Sequence, residues 1–270
     1  MTNDAKVPSR GVCPAGRMKY SYCGGKVAYC LTSDPANDTP IPVRASLSAT
    51  GLIFPDLNMF KKVNDWKALD NASHGIVGLK VWQAGVQDAT INGKIVANFI
   101  ENYQQAQARK MIVIGYAFGV GGISGTAQAD AALALFPAVK ATAVTRLVSG
   151  VKHTVTTIMN EGHLLVLDLE GNPDGRAMSD VEATDFILRV YQKTGGYPLL
   201  YTNLNRKISG LLSKCPRWIA SYAGTSPKAG IWQYTDGVNG PQPHSFPGVG
   251  NCDINKLLMT YGQLRALAGL

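Results

Sequence analysis

From Gly51 onward, short apolar runs recur along the chain, each ended by glycine, proline or a polar cluster. They are "GLIFPDL" (51–57), "GIVGLKVWQ" (75–83), "MIVIGYAFG" (111–119), "HLLVLDLE" (163–170), "PLLYTN" (198–203), "RWIASYA" (217–223) and "GIWQYTDG" (230–237), with a last short one around "CDINKL" (252–257). Their length and β-branched or aromatic content predict strands. Between the earlier runs the period changes to helical. "KIVANFIENYQQAQARK" sets Ile95, Val96, Phe99, Ile100 and Tyr103 on one stripe. "SDVEATDFILRVYQKTGG" opens with Ser179 and Glu182 at capping-box spacing, carries Val181, Phe186, Ile187, Val190 and Tyr191 at a helical period, and closes on Gly195 and Gly196. Residues 127–161 read as helix in two pieces broken near Pro137, and one short helix is expected near 204–213.

Strand–helix alternation predicts a parallel sheet covered on both faces. About eight strands in some 220 residues suit a single closed β/α barrel, its last strands lacking full helices. An open doubly wound sheet is the alternative, but no glycine-rich phosphate loop follows the first strand. Residues 1–47 differ from the rest. Rich in Gly, Pro, Ser, Asn and Asp, they read as a short irregular extension or attachment segment before a barrel domain at 48–270.

Composition narrows the class. The 270 residues are 46% hydrophobic and 16% charged, as in a globular protein, and no apolar run approaches the roughly 18 residues of a membrane span. The first thirty residues hold no apolar leader segment. A net charge of +8 favours a polyanionic partner. With no Lys/Arg run of five and no arginine-rich helix, a bacterial wall polymer fits that charge better than nucleic acid does. Cys13, Cys23, Cys30, Cys215 and Cys252 match no zinc spacing, and either an N-terminal disulfide or free buried thiols is compatible with them. His74, His153, His163 and His244 show no metal-binding spacing, and no G-x-S-x-G elbow is present, so no metal and no cofactor are expected.

The chemistry points to "HLLVLDLEGNPDG". Asp168 and Glu170 lie two apart on a predicted strand, hence on one side and about 6.6 Å apart along it. They stand at a strand's carboxy end, where β/α barrels carry their active sites. Two like charges close together in a partly dry site separate their proton affinities, leaving one acid and one anion. Cleavage of a glycosidic bond needs that division. An exposed acidic turn with Asp174, or a carboxylate paired with arginine, is the plainer alternative.

Other segments change the balance. "LVLDLEG", "PLLYTN", "RWIASYAG", "GIWQYTDG" and "NCDINKL" follow in the order and spacing of glycoside hydrolase family 25, the muramidases (lysozymes) of phages, bacteria and some fungi, and the chain resembles that family most over 163–257. Upstream, Asp56 stands ten residues before Trp66, like the Asp of the family's G-I-D-V-S strand before the Trp of its I-D-W motif. Lys80 lies fourteen past Trp66, where the K-A-T-E-G lysine falls, and "VIGYAFG" is similar to the G-A-Y-H-F strand through Tyr116 and Phe118. The likeness covers some 210 residues. Departures are "FPDLN" around Asp56, Gln83 in place of the motif's acid and Ala117 in place of its histidine.

The resemblance implies that Glu170 is the general acid. Asp168 would stay ionised and steady the positive charge that develops with help from the substrate's own 2-acetamido group. Asp56 and Asp253, from the first and last strands, become neighbours once a barrel closes and would tune this pair or hold the sugar. Tyr116, Tyr201, Tyr222, Trp232 and Tyr234 offer faces for stacking on pyranose rings, with core packing the alternative. Lys80 would meet a substrate carboxylate or neutralise the acids. The implied activity is a peptidoglycan hydrolase cleaving the β-1,4 bond between N-acetylmuramic acid and N-acetylglucosamine. It would be made in the cytoplasm and act on the wall after release through a phage holin pore or injection by a secretion apparatus. A catalytically inactive glycan-binding barrel, or a structural part of a virion or secretion apparatus, is the alternative.

Overall fold

The computed structural model describes residues 18–22, 27–31, 44–58, 61–83, 89–136, 140–148, 151–159, 162–172 and 175–270. Near the amino end, β1 (Met18–Tyr22) and β2 (Val27–Leu31) pair antiparallel with each other. Most of the 1–47 extension, Cys13, Cys23, Pro137 and Asp174 lie outside the described residues.

From Ile53 the alternation is realised as β3 (Ile53–Leu57), α1 (Trp66–Ser73), β4 (Ile76–Gln83), α2 (Ala89–Ala108), β5 (Ile112–Phe118), α3 (Gly125–Leu135), β6 (Lys140–Val148), β7 (Val151–Met159), β8 (His163–Asp168), α4 (Asp180–Thr194) and β9 (Leu199–Asn203). After β9 the helices dwindle. A 3-10 turn at Gly210–Lys214 precedes β10 (Arg217–Ala220), then come β11 (Ile231–Thr235), the small pair β12 (Ser245–Phe246) and β13 (Gly250–Asn251), β14 (Asp253–Leu257) and α5 (Tyr261–Leu267). Eight strands close a barrel in the order β3, β4, β5, β8, β9, β10, β11, β14 and back to β3.

One strand departs from the expected parallel sheet: β14 runs antiparallel to both β11 and β3. Parallel neighbours need a crossover, usually a helix, and the segment between β11 and β14 contains only the β12–β13 pair, so the chain turns back instead. The inversion brings the amino end of β14 to the same rim as the carboxy ends of the other seven strands.

A second correction concerns 127–161. Helix holds only to Leu135, and Lys140–Met159 forms an antiparallel ribbon of β6 and β7 outside the barrel sheet. Ten of the eighteen residues in its two strands are Val, Ile or Thr, whose branched Cβ atoms are restricted in helices and suited to strands.

Helix α4 carries the expected capping box: the Ser179 hydroxyl accepts from the Glu182 amide, and the Glu182 carboxylate accepts from the Ser179 amide. It ends on Gly195 at φ 78°, a left-handed conformation natural to glycine. Its buried face is Ala183, Phe186, Ile187, Val190 and Thr194, while Val181 is 73% exposed and Tyr191 is exposed too. The inward stripe thus runs i, i+3, i+4, i+7, i+11 from Ala183.

Strand parity divides the core in two. Phe54, Ile76, Ile112, Ile114, Tyr116, Leu164, Val166, Leu199, Tyr201, Trp218, Ile231 and Leu257 fill the barrel interior. Leu57, Val77, Leu79, Val81, Val113, Ala117, Leu165, Leu167, Leu169 and Leu200 point outward to the helices. Continuing the inward parity toward the carboxy ends replaces aliphatic side chains with Asp56, Lys80, Asp168 and Gln233. The site is the polar top of an apolar plug.

Candidate active site

A cavity of about 180 Å³ opens at the carboxy ends of the barrel strands, lined by Asp56, Asn58, Lys80, Tyr116, Phe118, Asp168, Glu170, Tyr201, Trp218, Gln233 and Asp253. Seven of the ten candidates from the sequence lie in its wall: Asp56, Asp168, Glu170, Asp253, Lys80, Tyr116 and Tyr201. Asp168 is the last residue of β8 and is 5% exposed, whereas Glu170, one step past Leu169, is half-buried. Leu169 points out into the helical layer, which turns both carboxylates inward.

Asp56 and Asp253 are direct cross-strand partners on β3 and β14. On the other side of β3, Gly78 of β4 is the register partner of Asp56. A Cβ at Gly78 would lie 2.4 Å from the Asp56 Cβ, so a glycine is what lets this carboxylate sit flat against the next strand.

A network that sequence reading missed aims Asp56. The Trp218 indole N–H, which can only donate, gives its hydrogen to Asn255 Oδ1 at 2.8 Å. That fixes the amide the other way round, and Asn255 Nδ2 donates to Asp56 Oδ2 at 2.7 Å. Gln233 Nε2 donates to the same oxygen at 3.1 Å, while Gln233 Oε1 accepts from the hydroxyls of Tyr201 at 2.8 Å and Tyr222 at 2.9 Å. The period-two alternation of "DINKL" was the signal for Asn255, which shares a strand face with Asp253, and in "WQYT" it sets Gln233 on the face opposite Trp232 and Tyr234.

Three candidates fall outside the cavity wall. Trp232 and Tyr234 have the opposite parity to Gln233 and join the outer core, where the Trp232 N–H donates to the Ser221 carbonyl at 2.7 Å. Trp232 is therefore not in the cavity wall. Tyr222 is 38% exposed, stands outside the lining and reaches the site through its bond to Gln233. Ala117 also points outward, so its difference from the family motif takes nothing from the cavity.

Burial sets the electrostatics. Asp168 is pushed well above the usual carboxylate range by burial and then by the neighbouring charge of Glu170, against the pull of Lys80. Glu170 is raised by burial, with Lys80 opposing and Asp56 adding. Asp56 is raised by burial despite its bonds from Asn255 and Gln233. Burial, followed by Asp56, lifts Asp253 to about 8. Burial depresses Lys80, and the charges of Asp168 and Glu170 oppose it. Burial thus pushes Asp168, the member expected to be the anion, toward its protonated form. It is the more deeply buried of the two, and its Oδ1 is buried with no hydrogen-bond partner.

Segments on either side of the loop after Glu170 pair with the turn after β5. The Gly119 amide donates to the Asp168 carbonyl at 2.9 Å, Val120 bridges Ala177, and the Gly121 amide donates to the Arg176 carbonyl at 2.7 Å. Buried Gln128 holds Val120 in turn, donating to its carbonyl at 2.8 Å and accepting from its amide at 3.0 Å. The loops after β5 and β8 thus form one wall beside the carboxylates.

The whole-chain comparison follows from this architecture. The bacterial lysozyme of Streptomyces coelicolor aligns over 82% of this chain and 98% of its own, with 23% identity and a TM-score of 0.58. A family 25 glycosyl hydrolase from Bacillus anthracis aligns over 86% and 100%, with 17% identity and a TM-score of 0.57. The catalytic domain of an endolysin from a Listeria monocytogenes bacteriophage aligns over 83% and 100%, with 16% identity and a TM-score of 0.54. The chain has their barrel fold. The sequence matches no protein-family model and no curated protein. Among the described residues, no helix is long and apolar enough to cross a membrane.

Proposed function

We propose that this chain is an endo-acting muramidase, hydrolysing the β-1,4 bond between N-acetylmuramic acid and N-acetylglucosamine in bacterial peptidoglycan. The convergence of Asp56, Asp168, Glu170 and Asp253 in one cavity at the mouth of a closed barrel carries the reading. Structures sharing the fold include lysozymes and a family 25 glycosyl hydrolase, which supports the same chemistry.

In this mechanism Glu170 is the general acid, since it is the member of the pair that opens toward the groove. It protonates the leaving sugar oxygen as the glycosidic bond breaks, then takes a proton from the water that completes hydrolysis. Asp168 steadies the positive charge developing around the substrate's 2-acetamido group. Its unpartnered Oδ1 is suited to accept from that group's N–H, and a hydrogen bond to the charged form favours the anion. Sugar binding thereby favours the anion at Asp168 and leaves the proton with Glu170. Asp56, held by two amides, and Asp253 beside it keep the mouth polar and hold sugar hydroxyls. Tyr116 and Tyr201 floor the cavity. The positive net charge suits an anionic wall, which the enzyme reaches after release or injection from the cytoplasm by a holin or secretion apparatus, with residues 1–47 as an attachment segment.

Mass analysis of fragments released from purified peptidoglycan tests the bond. Reducing muramic acid ends are expected; reducing glucosamine ends or free stem peptides would overturn the assignment. Bound but uncleaved peptidoglycan would identify the chain as an inactive glycan-binding barrel.

A further inference from the structure

Lys80 stands among the acids of the cavity without touching one. Its Nζ donates to Gln83 Oε1 at 2.7 Å and lies 5.0 Å from the centroid of the Phe118 ring. Among the described residues it makes no ion pair with any carboxylate. The charged and titratable groups sharing its cavity are Asp56 from β3, Tyr116 from β5, Asp168 and Glu170 at the end of β8, Tyr201 from β9 and Asp253 from β14. An ammonium on a flexible four-carbon stem, facing two carboxylates in a half-dry cavity, is drawn to close a contact pair with them. Here a neutral amide oxygen and an aromatic face occupy it instead.

We infer that Gln83 is a positioning residue: its side-chain oxygen, with the Phe118 ring, tethers the Lys80 ammonium at a stand-off from Asp168 and Glu170. The inference rests on the reading of that pair as acid and anion. A cation in contact with the pair would ionise both members and remove the proton a general acid must deliver. With no cation, both acids would hold protons to higher pH and the anion would be lost. The tether holds the pair between these limits. Because Gln83 is neutral, it anchors Lys80 without adding a further negative charge to the cavity. Gln83 lies on the same strand as Lys80, beyond a register irregularity of the β4–β5 ladder between Lys80 and Trp82.

The test is a pH titration of the Asp168 and Glu170 side-chain carboxyl carbons by NMR, which needs no turnover, in the wild type and in Gln83→Leu, Lys80→Met and the double variant. Releasing the tether in Gln83→Leu lets the ammonium close on the pair and lowers its midpoints by about one pH unit. Lys80→Met raises them by about as much. The double variant matches Lys80→Met, because Gln83 acts only through Lys80. If Gln83→Leu does not fold, Gln83→Met, closer in length, takes its place with the same expectation. Unmoved midpoints in the folded Gln83 variant, or a Gln83 effect that persists without Lys80, would overturn the inference. These opposite shifts in the two variants, with a wild type that fails to clear peptidoglycan, would sink the proposed function and leave the tether standing.

Discussion

Asp253 lies directly opposite Asp56 across the antiparallel β14–β3 pair, although 197 residues separate them in sequence. Two carboxyls on adjacent strands repel when both are charged, and the structure manages them unequally. Asp56 Oδ2 accepts from two amides, while Asp253 is pushed up to about 8 by burial and by Asp56. Near neutral pH Asp253 therefore favours its protonated form.

A stability profile follows. Because its native value exceeds the ordinary 3.8, Asp253 binds its proton more tightly in the folded protein than in the unfolded chain. Its contribution to stability is therefore full below the unfolded value and is lost as pH rises toward 8. Asp253→Asn removes this loss. Thermal melts of variant and wild type should coincide near pH 3.5 and separate at pH 8, the variant melting higher by on the order of 5 °C. Equal melting temperatures across that range would show that Asp253 is not raised.

The aiming of Asp56 gives a second prediction. Asn255→Ala removes a donor from Asp56 and leaves the Trp218 N–H with no acceptor, so stability falls by about 1–3 kcal/mol. Peptidoglycan clearance should fall as well, by a factor of about ten or more, with the far-ultraviolet circular dichroism unchanged. A variant as active and stable as wild type would show that the Trp218–Asn255–Asp56 chain is dispensable.

Gly78 supplies a third. Gly78→Ala sets a methyl against Asp56 at a distance real side chains do not show, and the rigid strands on either side leave it little room. Chemical denaturation should reveal a loss of about 1–3 kcal/mol, as for other overpacked sites, with clearance reduced because Asp56 is displaced. Full activity would mean that the exact seat of Asp56 does not matter.

At the far end of the barrel the Arg44 guanidinium pairs with Asp70, which is 2% exposed, and also donates to the Arg109 carbonyl. Arg44→Met leaves Asp70 buried without its cation. The expected cost is about 3–5 kcal/mol in urea unfolding. The pH dependence of clearance should keep its wild-type shape, because Arg44 is remote from the mouth. A shifted pH profile would contradict that separation.

Much of this was legible beforehand because parity is a local property. The "DLE" spacing dictated that Asp168 and Glu170 face the same way, and all eight barrel strands lie in runs that the apolar pattern marks. The direction of β14 was not legible, since it depends on whether a helix intervenes before it. Nor was the network of Asn255, Gln233 and Trp218, in which each amide is oriented by a strand far away in sequence. Trp232 illustrates the limit of composition: an aromatic on a barrel strand suits a sugar, but its parity faces it outward. The helix expected over 127–161 gives way to β6 and β7 at 140–159, because the branched Val, Ile and Thr residues there favour strand.

The most direct measurement is turbidity clearance of purified peptidoglycan by the wild type and by Glu170→Gln, at equal concentration and matched fold by circular dichroism. The account predicts rapid clearing by the wild type and a loss of about 10²–10⁴-fold in the variant, with melting temperature preserved. Equal clearing by both proteins would remove Glu170 from the chemistry and contradict the account.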